Sequence, residues 1–353
     1  MNDFKKTIAL TISLAVIFGI TSCDREPDVT TSVASVTEAV TKPETTSATT
    51  EQTNETEPET GHYEFRPKVM SSIFRDIMGD GMCEAYYSYI DAVMNNEDSF
   101  AVNSVNDYDW MLGQFPGFFS PVVAQYAGSN YAGGYSDGRG TFHYVTTREE
   151  FELKESEFET LVTDILNEAL RDDYSDFEKV LALYIYFSQN YTYDYDTLDR
   201  MDNEYVDNLS PYRFLTEKTG ICSECAPAYS YLLLQAGVDA TVAGGGEHCW
   251  SYVTINGRNY HVDPTFAMSS GVDLSYLMMT DERREIEGGF TRDDMCVGCH
   301  YKSDRNGEEY TAADDFFAPL WGCYLVSWDH ADKVIVYEDT EAVRHTFDYS
   351  SFG

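Results

Sequence analysis

The sequence predicts an α+β fold. Residues 155–170 and 177–190 carry apolar side chains at the spacing of amphipathic helices, and a third, apolar helix is expected to end near residue 236. Two strand-like segments follow, and the Asn256-Gly257 pair between them is the strongest short signal for a hairpin with a two-residue turn.

Residues 1–22 have the pattern of a lipoprotein signal peptide. Lys5 and Lys6 precede an uncharged, mostly apolar run, 7–20, which is shorter than the roughly 20 residues of a membrane span. The sequence 20–23 (ITSC) resembles a bacterial lipobox, in which the cysteine, here Cys23, is lipidated and becomes the new N-terminus. An ordinary cleaved signal or a short membrane anchor is the alternative. In each case the mature protein is expected to work outside the cytoplasmic membrane, lipid-anchored at its extracellular face or secreted.

The rest of the chain divides into three predicted parts. Residues 23–61 are rich in Thr, Glu, Ser and Pro, and such a segment is expected to be a disordered tether. Residues 62–150 are a mixed α/β region of unassigned role, with a helical pattern over 67–93 and a strand over 141–146. Residues 151–353 form the main domain, with a core at about 170–285 and strands at 333–337 and 343–347.

The net charge excludes one class of partner. The 353 residues include 23 Lys and Arg against 61 Asp and Glu, which gives a net charge of −38. Nucleic-acid binding needs a basic surface that displaces counterions from phosphates. We therefore expect no nucleic-acid partner.

Local sequence signals in the main domain indicate where its helices begin and end. Ser175 and Glu178 form a capping box that starts the second helix, and 191–196 is expected to be extended. Cys222 lies at the predicted start of the third helix, which Gly237 ends. Unpaired N–H groups and the helix dipole at such a position favour a thiolate.

The hairpin predicts that a histidine and an aspartate meet. A two-residue turn pairs Ile255 with Arg258, so Trp250 lies opposite Asp263. His248 shares a face with Trp250 because side chains alternate along a strand, and Asp263 is then its diagonal neighbour. Residues 248 and 263 are therefore predicted to form an imidazole–carboxylate pair.

A cysteine at a helix start, followed by a histidine and an aspartate on adjacent strands, resembles the transglutaminase-like superfamily of papain-like thiol enzymes. The matching positions are Gly220, Cys222, Ala226, His248, Trp250, Val262, Asp263 and Pro264, with Tyr193-Asp194 before them and 276–281, matching a family strand, after them. The resemblance implies a nucleophile helix packed on an antiparallel sheet or barrel. It also implies that Cys222 is the nucleophile, His248 the general base and acid, and Asp263 the residue that orients His248.

The implied chemistry is acyl transfer through a thioester, without a cofactor or metal. A peptidase or amidase acting on proteins or cell-wall peptides is the first interpretation, and a cross-linking transglutaminase is the second. A catalytically idle binding module and a redox lipoprotein are the third and fourth. The N–H of Cys222 is the expected oxyanion donor, and Tyr193 and Gln189 are candidates for the second donor.

The remaining cysteines leave different chemistry open. Cys222 and Cys225 have the spacing of a redox pair, and Cys296-x-x-Cys299-His300 matches the pattern for haem attachment. The two CxxC pairs together would supply four thiolates for zinc, although their long separation is unlike a zinc ribbon. A local disulfide or metal clip among Cys296, Cys299 and Cys323 is also compatible with the sequence. Cys249 is expected to point away from His248 into the core.

Overall fold

The computed structural model describes residues 62–113, 115–129, 134–201, 206, 208–270, 272–288, 291, 294–298 and 310–352. The predicted signal peptide, Cys23 and the tether lie outside these residues, as do Cys299 and His300. Within the part of the chain that is described, no helix has the length and apolar character needed to cross a membrane.

Helices account for much of the described chain. The α-helices are α1 (Ser72–Met78), α2 (Asp80–Met94), α3 (Val105–Gly113), α4 (Phe115–Phe119), α5 (Pro121–Tyr126), α6 (Arg148–Ala169), α7 (Asp176–Asn190), α8 (Tyr195–Met201), α9 (Pro211–Glu217), α10 (Cys222–Gln235), α11 (Pro264–Ser270) and α12 (Asp281–Gly288). Short 3₁₀ turns lie at Leu274–Tyr276 and Ala318–Leu320.

The strands form mostly antiparallel sheets. They are β1 (Ser99–Ala101), β2 (Ala127–Ser129), β3 (Tyr135–Ser136), β4 (Arg139–Tyr144), β5 (Thr192–Tyr193), β6 (Thr219–Gly220), β7 (Asp239–Gly245), β8 (His248–Ile255), β9 (Arg258–Val262), β10 (Met295–Val297), β11 (Tyr324–Asp329), β12 (Val334–Glu338) and β13 (Arg344–Asp348). The central sheet has the order β10-β7-β8-β9, an N-terminal sheet contains β1 to β4, and β11-β12-β13 form a third; β5 and β6 are a parallel pair.

The predicted α+β class is confirmed, because α10 packs on the antiparallel strands β7 and β8. The helix is buried along its length, and serine hydroxyls join it to the sheet. Ser230 Oγ donates to the carbonyl of Thr241, and Ser251 Oγ donates to the carbonyl of Ala226. Gly237 adopts φ +86 just after the helix, which confirms the predicted stop.

The predicted hairpin register is confirmed. Asn256 and Gly257 both have positive φ, as a two-residue turn of type I′ requires, and Ile255 pairs with Arg258. The ladder continues to Ser251 opposite Val262, so Asp263 follows directly after the last residue of β9. This register places the Asp263 carboxylate just after the end of β9, next to the start of β8, where His248 lies.

The predicted capping box of α7 is confirmed, and its carboxylate also holds the C-terminal sheet. Glu178 accepts the N–H of Ser175 at 2.8 Å, yet its side chain is fully buried. His330 and Lys333 approach the same carboxylate at 2.7 and 2.8 Å, and the Tyr349 hydroxyl donates to it at 2.8 Å. One buried anion thus joins a helix of the main domain to the last strands.

Several predicted elements differ from the structure. The 67–93 helix is split at Gly79, whose φ is +77, and α6 starts at Arg148, seven residues before the predicted start. The extended segment 191–196 is wrong after Asp194, because α8 starts at Tyr195. The strand expected over 276–281 is a 3₁₀ turn followed by a single bridge from Met279 to His261.

The C-terminal and N-terminal parts extend the core. The two predicted C-terminal strands are confirmed as β12 and β13, and β11 adds a third strand that the sequence pattern did not indicate. A continuous cluster of buried apolar side chains runs from Val69 to Tyr349. Residues 62–150 and the main domain therefore share one core.

The Glu178 contacts predict a stability effect. Burial opposes ionisation, but the hydrogen bonds from Lys333 and Ser175 outweigh it and lower the pKa of Glu178 to about 2. Its contribution is therefore present above its ordinary value of 4.5 and is lost as pH falls towards 2. We expect Glu178→Gln to reduce the free energy of unfolding by roughly 3 kcal/mol at neutral pH, because breaking a buried ion pair leaves its partners uncompensated.

Chemical denaturation of the wild type and the variant at neutral pH and near pH 2 checks this expectation. The difference between the two proteins should shrink at the lower pH. Glu338→Gln is the control, since Glu338 pairs with Arg344 at the surface and its loss should change stability by about 0.5 kcal/mol or less. An equal effect of the two substitutions would contradict the assignment.

Candidate active site

A buried ion pair holds the start of α10. Cys222 is the first residue of α10, and the N–H of Ile221 donates to the Glu224 carboxylate at 3.2 Å. Glu224 is fully buried. Its carboxylate accepts hydrogen bonds from Arg213 Nε at 2.8 Å and from Arg213 Nη2 at 2.5 Å. Arg213 also contacts Asp194 at 3.2 Å. The backbone that carries the thiol is therefore anchored to α9 and to the residue that follows β5.

Gly220 is required for close packing at this point. A Cβ on residue 220 would lie 2.7 Å from a Phe214 ring carbon and 2.8 Å from Glu224 Oε2, which are too close for real contacts. Gly220 has no positive φ, so close packing and not backbone conformation requires a glycine here. The glycine lets the Glu224 carboxylate reach the backbone beneath the helix start.

The Cys222 side chain is 5% exposed and lies in a small apolar cluster. Ala226, Val242 and Cys249 complete the cluster, and Phe118 of α4 packs against it. The N-terminal region therefore contributes to the surroundings of the thiol. Cys249 is buried, as expected, and its side chain packs in the same cluster as Cys222.

The imidazole and the carboxylate meet as the hairpin predicts. His248 Nε2 lies 2.7 Å from Asp263 Oδ2, and the Cys222 sulfur is near enough to help raise the pKa of His248. With Nε2 used by the carboxylate, Nδ1 is the ring nitrogen left for the sulfur. The His248 ring lies 5.9 Å from the Trp250 ring and 5.5 Å from the Phe266 ring. Thus the predicted contact between His248 and Asp263 is formed, and the Cys222 sulfur interacts electrostatically with the same imidazole.

Electrostatic interactions favour a thiolate at Cys222 and an imidazolium at His248. The hydrogen bond from Cys249 and the nearby His248 charge outweigh burial and place the pKa of Cys222 well below its ordinary value. Burial opposes the imidazolium, but the Asp263 carboxylate and the Cys222 sulfur raise the pKa of His248 to about 9. The hydrogen bond to the Cys222 sulfur and burial place the pKa of Cys249 well above its ordinary value, so Cys249 remains a thiol donor.

Asp263 stays ionised although it is fully buried. Burial opposes this state, but the charges of His248 and Arg284 lower the pKa of Asp263. Arg284 Nη2 lies 3.2 Å from Oδ2, and the N–H of Thr265 donates to Oδ1 at 3.2 Å. The backbone N–H of Asp263 donates to the Tyr276 carbonyl at 2.9 Å, which fixes the carboxylate relative to the strand end.

A second imidazole–carboxylate pair lies behind Trp250. The indole N–H donates to His261 Nδ1 at 2.8 Å, and His261 Nε2 lies 2.9 Å from Asp281 Oδ1. Arg284 covers the other part of the indole, with its guanidinium carbon 4.0 Å from the ring centroid. These contacts hold the aromatic wall beside His248.

The sequence pattern did not reveal these supporting residues. His261 lies on β9 within the predicted hairpin, so its place in the sheet was available from the register, but its partner Asp281 was not. Arg284 lies on a polar helix, where a solvent-exposed arginine is the ordinary expectation. Phe118 comes from a distant segment with no local signal.

The Cys222–Cys225 redox pair that the sequence leaves open is not formed in the structure, and the alternatives that need Cys299 lie partly outside the described residues. Cys222, Cys225, Cys249 and Cys323 are free thiols. Burial raises the pKa of Cys225 well above its ordinary value, which is opposite to the direction for Cys222. No group of three or more His, Cys, Asp or Glu suited to a metal occurs in the described part, and the haem pattern lies partly outside it at Cys299 and His300.

The comparison with known proteins supports the resemblance. Residues 163–264 match the family model of the Transglutaminase-like superfamily, and this segment includes Cys222, His248 and Asp263. No curated protein matches the chain significantly. The predicted resemblance is therefore confirmed for this segment, which is the part that carries the three residues.

Three of the solved structures that are similar to part of the chain show the extent of the match. A proposed cysteine protease from Cytophaga hutchinsonii is 20% identical over 35% of this chain and 40% of that chain, with a TM-score of 0.25. A TGase is 16% identical over 44% and 50%, with a TM-score of 0.31. The periplasmic domain of TgpA from Pseudomonas aeruginosa, bound to ethylmercury, is 19% identical over 31% and 44%, with a TM-score of 0.24. The chain spans half or less of these proteins, and no activity follows from likeness at this level.

The Cys249 contact predicts a measurable change at Cys222. Cys249→Ala removes a hydrogen-bond donor from the thiolate, so the pKa of Cys222 should rise by about one unit or more. Iodoacetamide labelling across pH, followed by mass spectrometry of the Cys222 peptide, measures the midpoint. Cys83→Ala is the control, since Cys83 is a buried thiol of α2 outside this cluster. If Cys249→Ala leaves the pH midpoint of Cys222 labelling unchanged, the proposed effect of Cys249 on Cys222 is contradicted.

Proposed function

Taking residues 163–264 as a transglutaminase-like domain, we propose that this chain is a cysteine acyl-transfer enzyme. Cys222 is the nucleophile, His248 the general base and acid, and Asp263 the residue that orients His248. The observation that carries the proposal is the 2.7 Å contact between His248 Nε2 and the buried Asp263 carboxylate, with the Cys222 sulfur near enough to help raise the pKa of His248. A thiolate beside an imidazolium is the arrangement that activates cysteine as a nucleophile.

In each half of the reaction, one bond to the acyl carbon forms and another breaks. The Cys222 thiolate attacks a carboxamide or peptide carbonyl, the C–N bond breaks, and His248 gives its proton to the leaving nitrogen. The acyl group is then held on sulfur as a thioester. Water or an amine attacks this thioester, His248 accepts the proton of the attacking group, and the Cys222 thiolate is released.

Two donors are proposed for the developing oxyanion. The N–H of Cys222 is in the first turn of α10, where backbone N–H groups have no partner within the helix. For the second donor we favour Tyr193 over Gln189. Tyr193 pairs with Gly220 in the parallel β5–β6 pair, two residues before the nucleophile, whereas Gln189 is exposed on α7.

The substrate class proposed first is a protein or cell-wall peptide, with water as the acyl acceptor. One observation favours a cross-linking transglutaminase as the second candidate. Cys222 is 5% exposed and packs with Val242 and Phe118, and such an apolar setting limits the access of water to a thioester. An amine acceptor gains most in a site that excludes water.

We also propose that the enzyme is lipid-anchored at Cys23 on the extracellular face of the bacterial cytoplasmic membrane. The support is the apolar run 7–20 followed by the lipobox-like sequence 20–23. The tether 23–61 would then hold the catalytic domain away from the membrane and towards its peptide substrates. The net charge of −38 fits peptide substrates better than nucleic acids.

Activity assays test the proposed reaction. We expect the wild-type chain to release new N-termini from protein substrates or isolated cell-wall peptides, whereas a transglutaminase would attach a fluorescent amine to glutamine-containing proteins. Cys222→Ala should abolish either activity, since it removes the nucleophile, and Cys83→Ala should retain it. A rapidly alkylated Cys222 with no turnover in either assay would favour the idle binding module.

Metabolic labelling tests the anchor. Radiolabelled palmitate should enter the full chain expressed in a bacterium, and Cys23→Ala should remove the label because it removes the acceptor thiol. Ser22→Ala keeps a small residue before the cysteine and is the matched control. Label retained in Cys23→Ala would contradict lipidation at this residue.

A further inference from the structure

Arg284 is a buried charge that lies outside the segment matched by the family model. It lies on α12, twenty residues beyond the end of the 163–264 match, and its side chain is 0% exposed. Burying an arginine is costly unless a counter-charge and polar or aromatic contacts compensate it. Both kinds of contact are present: Asp263 Oδ2 at 3.2 Å and the Trp250 ring at 4.0 Å.

Arg284 and His248 act on the same oxygen. Oδ2 of Asp263 lies 2.7 Å from His248 Nε2 and 3.2 Å from Arg284 Nη2, while Oδ1 accepts the N–H of Thr265. A carboxylate held by His248 alone would bind the imidazolium proton with its full charge. A carboxylate shared with a permanent cation binds that proton less strongly.

We propose that Arg284 is a positioning residue of this site, which keeps Asp263 ionised and limits how strongly Asp263 retains the proton of His248. The inference rests on the proposed function for the use of that proton, which passes from His248 to the leaving nitrogen. The electrostatic coupling itself does not depend on turnover. Trp250, held by His261 from the other side, keeps the guanidinium in place against the carboxylate.

The charges around Arg284 support this role. The titratable groups that face Arg284 or Asp263 are His248, Asp263, Tyr276, Glu287, Cys249, Tyr184 and Cys225. Burial raises the pKa of Tyr184, Tyr276 and Cys225, so these groups stay neutral near pH 7. Glu287 also contacts Arg283 on the same helix. Loss of Arg284 therefore leaves His248 as the cation in direct contact with Asp263.

Neutral substitutions at 284 test the proposal through His248 itself. We expect Arg284→Met and Arg284→Gln each to raise the midpoint of the His248 pH titration by roughly one pH unit. The reason is that removing a nearby positive charge favours the imidazolium. Arg284→Lys should keep the midpoint near that of the wild type, since it retains the charge. The measurement is an NMR titration of the His248 ring in the folded full chain, with thermal unfolding to verify the fold.

Arg283→Met is the matched control. Arg283 neighbours Arg284 on α12 but pairs with Glu287 and lies over the Trp321 ring, so the His248 midpoint should not move. A structural role for Arg284 would instead disturb the Asp263–His248 contact and lower the midpoint. A midpoint that is unmoved or lowered in folded Arg284→Met and Arg284→Gln overturns the inference.

The two proposals fail differently. A His248 midpoint near its ordinary 6.5 in the wild type would mean that the thiolate–imidazolium pair is absent, which counts against the proposed function whatever residue 284 does. A midpoint of about 9 in the wild type that does not respond to Arg284→Met would sink this inference alone. With a substrate in hand, Arg284→Met should lower kcat more than it changes KM, because proton transfer to the leaving group occurs in the transition state.

Discussion

The buried Asp263 carboxylate is the group on which the rest of the site depends. Without compensation, a carboxyl group removed from water would take up a proton and lose its hold on His248. Here Arg284 and the N–H of Thr265 stabilise the charge, so Asp263 remains an ionised acceptor for the ring N–H of His248. His248 is then positioned as a cation beside Cys222, and the sulfur is stabilised as an anion.

Each of the three groups is held by a different part of the fold. Glu224 and Arg213 fix the first turn of α10, and the Asn256-Gly257 turn fixes the offset between His248 and the end of β9. Arg284 reaches the carboxylate from α12. A substitution that leaves the three reacting groups in place can therefore still change their charges, because the charges depend on side chains from separate helices and strands.

The parts of the site that rest on local rules were predictable from the sequence. The two-residue turn dictates the strand register, and the cysteine position follows from the helix start. Arg284, Cys249 and Phe118 were not assigned these roles, because their contacts join segments that are remote in sequence or depend on which face of a strand meets α10. The strand expected over 276–281 fails for a similar reason: Met279 makes one bridge to His261, and the chain turns into α12.

The central claim is that Cys222 is already a thiolate at neutral pH because His248 is an imidazolium beside it. The rate of Cys222 alkylation by iodoacetamide, followed by mass spectrometry from pH 6 to pH 8, tests this most directly. We predict a nearly constant rate over this range, and a His248→Ala profile that rises towards the ordinary cysteine value of about 8.5. A wild-type rate that climbs roughly tenfold per pH unit, as for a free thiol, would contradict it.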